Sequence, residues 1–109
     1  MDAFTLPTAG VAEPHFKFFC DLDGRSYGLE FHWNADAAAW FLTVRTSDDT
    51  ILRAGIRVVV DAALGGRVST ESFWPGLLIA QDSTDRHEDP LRDDLSSGRT
   101  LLLYFPAGA

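Results

Sequence analysis

Basic side chains are scarce in this 109-residue chain. Nine Lys and Arg stand against sixteen Asp and Glu, a formal net charge of −7. Proteins that hold DNA or RNA neutralise phosphates with clustered Lys and Arg; here the few cations are scattered, so no nucleic-acid binding is expected. An acidic surface repels a passing nucleic acid instead. The chain has one cysteine, Cys20, so it can form no internal disulfide, which fits assembly in a reducing cytoplasm. With no histidine beside it in sequence, Cys20 reads as a small core hydrophobe rather than a reactive thiol. No apolar run approaches the ~20 residues that span a bilayer. The opening MDAFTLPTAGVAEP has neither the basic nor the apolar region of a secretion signal, so neither a membrane nor an export route is expected.

Helical periodicity is missing as well. The alanines at 37–39 are too few to nucleate a helix. Nucleophile elbows, phosphate loops and local Ser/His/Asp sets are absent, and Gly65-Gly66 reads as a turn. What is present is core material: 46% of residues are hydrophobic and 12% aromatic, enough for one globular domain. Residues 1–14 show no periodicity and read as an extended arm, with residues 15–109 forming a single β-domain.

The clearest structural signal is HFKFFCDLDGRSYGLEFHW. Asp23-Gly24 is a two-residue hairpin turn whose positions need positive φ. It pairs residues whose numbers sum to 47, which sets Phe16, Phe18 and Cys20 against Phe31, Leu29 and Tyr27 on one face. On the other face Lys17 meets Glu30, an opposite-charge pair, and Phe19 lies across Gly28. After NADAAA, WFLTVRT alternates again with Trp40, Leu42 and Val44 inward; Trp33 also falls on an inward face. Ser47–Thr50 is a turn, ILRAGIRVVV a β-branched run with a bulge at Gly55, and ESFWPG with LLIAQDS a further strand or pair turning at Trp74-Pro75-Gly76. TLLLYF closes the domain. The fold class is all-β: a small antiparallel β-sandwich or partly open β-barrel of six to seven short strands.

Between the last two strands lies RHEDPLRDDLSSGR. With Asp82 and Asp85, it places six carboxylates within thirteen residues. As a calcium loop it fails: counted from Asp82, positions 3, 5 and 6 are wrong, and counted from Asp89, position 3 is wrong. Zinc needs three or four ligands, and His87 is the only nitrogen donor nearby; His15 and His32 face each other across the hairpin as a solvated pair. A glycosidase pair needs its carboxylates ~5 or ~6.5–9.5 Å apart in an aromatic cleft, for which a chain this short has little room. The structural reading has Asp89-Pro90 initiating a turn and Arg92 clamping the loop through Asp93 or Asp94. No cofactor and no metal are expected.

The order of FHWNADAAAWFLTV, AGIRVVV and DPLRDDLSSGRTLLLY resembles the baseplate plug proteins of tailed bacteriophages, typified by cyanophage plugs. The resemblance spans about residues 15–105 and rests on Trp33-Asn34, Trp40, Gly55-Ile56-Arg57 and Asp89 through Leu95. It implies a non-enzymatic virion component at the tail tip, assembled in the host cytoplasm, that seals or braces the central channel. The implied partners are tail tube, hub or spike and tape measure proteins, in several copies of a symmetric assembly. Contacts are expected from Phe4 and Leu6 in the arm, from Trp74 and Pro75 at the corner, and from Asp89, Pro90, Arg92, Asp93 and Asp94 in the loop. A second reading is a carbohydrate-binding β-sandwich of a phage adhesin, with Trp74 and Tyr27 or Phe73 lining a groove. A third is a metal-dependent hydrolase using the loop carboxylates.

Overall fold

The computed structural model describes residues 4–8, 10, 13–22, 24–61, 64 and 76–105. Their architecture is all-β, with no helix among them. The strands are β1 (Phe4–Thr5), β2 (His15–Leu22), β3 (Arg25–Asn34), β4 (Ala39–Thr46), β5 (Ile51–Arg57), β6 (Leu77–Asp82) and β7 (Thr100–Phe105). They form two antiparallel sheets, ordered β2-β3-β4-β5 and β1-β7-β6, and neither closes into a barrel.

Turn chemistry and alternation fix the larger sheet. Gly24 sits at φ +81°, a left-handed conformation that costs glycine nothing, and Leu22 pairs with Arg25 across the turn. Every β2–β3 pair follows the expected register, from His15 opposite His32 to Leu22 opposite Arg25. A one-residue slip would send Tyr27, Leu29 and Phe31, all buried, to the solvent face. Phe19, on the outer face, lays its ring over Gly28, where a β-carbon would sit 2.9 Å from Phe19 Cε2. The expected Lys17–Glu30 ion pair is replaced. Lys17 donates to Asp49 at 3.0 Å, while Glu30 holds Arg45 at 2.9 Å and pairs with His15 Nε2. Arg45 approaches from β4, the opposite side of β3 from Lys17, and occupies the carboxylate.

β5 carries the irregularity that Gly55 signals: its register to β4 shifts twice, and Gly55 lies at φ +74°. ILRAGIRVVV is not one strand, however. β5 ends at Arg57; Val58 still donates its N–H to the Trp40 carbonyl of β4, and Val60 then bridges Ala80 of β6 in parallel. Asp61 and Leu64 then donate N–H groups to the carbonyls of Ala80 and Leu78. Gly65-Gly66 and the ESFWP stretch lie outside the described residues.

One apolar core joins the sheets. Leu22, Tyr27, Leu29, Phe31, Trp40, Leu42 and Val44 from the larger sheet meet Leu78, Ala80, Leu102 and Tyr104 from the smaller. The arm takes part: Leu6 is 2% exposed, and its N–H donates to the Leu102 carbonyl at 2.8 Å, extending the β1–β7 ladder that pairs Phe4 with Tyr104.

Candidate functional site

The acidic loop leaves β6 at Asp82 and re-enters the sheet at Thr100, which are register partners. That pairing sets Arg99 beside Asp82 at the loop's neck. The Arg99 guanidinium, only 13% exposed, donates to Asp82 at 2.8 Å, to Glu88 at 3.0 Å and to Asp94. Asp82 is the most enclosed of the three carboxylates. It also accepts from the Thr84 hydroxyl (2.5 Å), the Thr84 N–H (2.9 Å) and the Glu88 N–H (3.2 Å). The Thr84 hydroxyl foremost, with these amides and Arg99, holds its carboxyl well below the usual carboxylate range, against the opposing effect of burial. A buried carboxylate of this kind persists because cation and amides satisfy it together.

Further ties fasten the loop to the sandwich. Trp40, buried in β4, donates its indole N–H to the Leu91 carbonyl at 3.0 Å, and the Arg92 guanidinium lies 5.9 Å from the same ring. Asp89 accepts the Val60 N–H at 3.0 Å. His87 Nδ1 meets Asp61 at 2.6 Å and Nε2 meets Asp85 at 3.2 Å, and the hydrogen bond to Asp61 raises the imidazole pKa. Pro90 and Leu95 are buried beneath the loop. The segment is therefore tied to both sheets and to Val60 and Asp61 at once, and its carboxylates mostly face internal partners. Among the described residues no group of three or more His, Cys, Asp or Glu is placed to hold a metal ion.

A model of the family described as "Cyanophage baseplate Pam3 plug gp18" matches residues 3–107. The chain belongs to this baseplate plug family. It is thereby a structural component of a phage baseplate, located in the virion tail and associated with other baseplate or tail proteins. No curated protein matches it. The family match begins at residue 3, and within residues 1–14 the strand β1 pairs with β7.

The plug's expected contact residues fall into three groups. Leu6 is a core residue, and Phe4 is a backbone partner of Tyr104. Trp74 and Pro75 lie outside the described residues; Gly76, which follows them, donates its N–H to the Tyr104 hydroxyl at 2.8 Å. Of the loop residues, Asp89 and Asp93 are exposed, Arg92 and Asp94 half-buried and Pro90 buried. A further arginine, Arg99, which was not expected, makes the closer carboxylate contacts. Arg92 reaches Asp93 only at 3.9 Å, whereas Arg99 gathers three carboxylates. Asp89 likewise caps Val60, far along the chain, rather than an amide two residues on. Sequence spacing contained the signal for Arg99: aligning LLIAQD with TLLLYF as an antiparallel pair puts it next to Asp82.

Tyr27 is 1% exposed and cannot line a sugar groove, while Trp74 and Phe73 lie outside the described residues. The cavity bounded by Arg25, Ser26, Tyr27, Thr46, Ser47 and Leu52 holds about 190 Å³, below the ~300–1,000 Å³ of ordinary ligand pockets. Burial pushes the half-buried Cys20 thiol up to about 11, so the nucleophilic thiolate is scarce near neutrality.

Proposed function

We propose that this chain is a tail-tip plug that seals or braces the central channel by binding tail tube and hub or spike proteins, without catalysing a reaction. The observation that carries the reading is the family match over residues 3–107. The loop's construction supports it. A segment held by Arg99, Trp40 and Val60 is ordered before any partner arrives, so binding need not pay to order it. It presents Leu91, 58% exposed, beside the solvated Asp93, a surface suited to contact. A net charge of −7 is also compatible with a channel through which DNA must pass without sticking. Assembly in the host cytoplasm and several copies around the tail axis belong to the same reading.

The test is co-purification of the full chain with the tube and hub proteins of its own phage. Retention by either, weakened by Leu91→Asp in a variant that melts like the parent, is the expected result. Failure to bind any tube, hub or spike protein overturns it.

A further inference from the structure

Three of the four sheet edges are blunted. β1 is two residues long, β6 is met by Val60, Asp61 and Leu64, and β5 is broken by two register shifts and the left-handed Gly55. Such devices stop edge strands from pairing with other chains. β2 has none of them. It is eight residues long, follows an unbroken register and contains no proline, and among the described residues nothing pairs with its outer side.

The direction of its backbone groups follows from one hydrogen bond. Trp33 donates its N–H to the Pro14 carbonyl at 2.8 Å, so residues 14 and 33 form a hydrogen-bonded pair. Such pairs recur every second residue, so Phe16, Phe18 and Cys20 bond to β3. The N–H and C=O groups of His15, Lys17, Phe19 and Asp21 therefore point away from the sheet, and all four side chains are exposed on its outer face.

That edge complements itself. In an antiparallel pairing about Phe19, Lys17 of each copy stands opposite Asp21 of the other, Phe19 meets Phe19, and the outward backbone groups of all three find partners. Phe18 and Phe16, half-exposed on the inner face, come to lie opposite Cys20 and Leu22. Sliding the register by four residues either way would oppose Lys17 to itself or Asp21 to itself. The net charge of −7 resists association of two copies, but charges beyond roughly 8 Å are largely screened at physiological ionic strength. We infer that the free protein forms a two-fold dimer through β2, joining two four-stranded sheets into one continuous sheet with Phe19 at the axis. The two copies meet as equivalent surfaces, so the contact closes rather than propagating. This inference concerns the protein before incorporation and does not rest on the plug reading.

Sedimentation velocity of the full chain across micromolar concentrations, with residue-resolved amide exchange, tests it. A concentration-dependent dimer is expected, in which the Lys17, Phe19 and Asp21 amides become protected as dimer forms. K17D and D21K each place like charges opposite one another at both flanking pairs and should weaken dimerisation roughly tenfold. The double exchange K17D/D21K restores opposite signs and should recover dimerisation, even though K17D alone also loses the ion pair to Asp49. A monomer at every concentration overturns the inference. So does a dimer in which those three amides exchange freely, or one that the double exchange fails to recover.

Discussion

Arg99 does more for the acidic segment than its six carboxylates suggest on paper, because it turns mutual repulsion into a bonded cluster. Removing it leaves Asp82 enclosed and short of its cation, the circumstance in which a buried ion pair is most costly to break. Arg99→Ala should lower the thermal midpoint by several degrees, and by more than Arg92→Ala, since Arg99 joins three carboxylates, one of them enclosed, and Arg92 meets the exposed Asp93 at 3.9 Å. Equal losses in the two melts would refute the assignment. The same cluster predicts acid sensitivity. Asp82 titrates lower in the folded state than in the unfolded chain, so the unfolded chain takes up its proton first as pH falls. Its contribution is complete above about pH 4 and is lost as pH drops toward the depressed folded value. Glu30, lowered chiefly by its bond to His15, adds to the same limb. Melts taken from neutral to acidic pH should fall in that window, and Asp82→Asn, though less stable throughout, should show a shallower fall. An unchanged slope would mean that Asp82 is not a main contributor.

Among the strands, legibility followed the range of the interaction that decides each one. The β2–β3 register could be read to the residue because one local turn, Asp23-Gly24, fixes it and the side chains agree on both faces. The bulge at Gly55 was legible for the same reason: a glycine inside a β-branched run signals backbone that other residues avoid. The Arg99 clamp is legible only once β6 and β7 are aligned with each other, a pairing that no local turn fixes because a long loop intervenes. β1 was hidden further, since two residues carry no alternation and gain their strand geometry only by pairing with β7. Leu6 gives that short ladder its anchorage in the core. Leu6→Ala should cost about 2–5 kcal/mol in chemical denaturation, the usual range for emptying a buried leucine site. A loss within experimental error would show that the arm is dispensable for the fold.

Taken together, the chain is a two-sheet sandwich whose loop is bolted to its own core, within a family of phage baseplate plugs. Size, strand pattern and acidity pointed to a non-catalytic assembly component. The identity of the class came from the order of Trp33-Asn34, Trp40, Gly55-Ile56-Arg57 and the Asp89–Leu95 stretch, not from any reactive constellation. Such a protein acts by where it sits. The most direct measurement is therefore a cryo-EM map of the intact tail tip of the phage that encodes it. The account predicts density for this sandwich at the tip, across or beside the central channel and in contact with tube and hub. A complete tail tip without this chain, or with it attached away from the channel, would contradict the account.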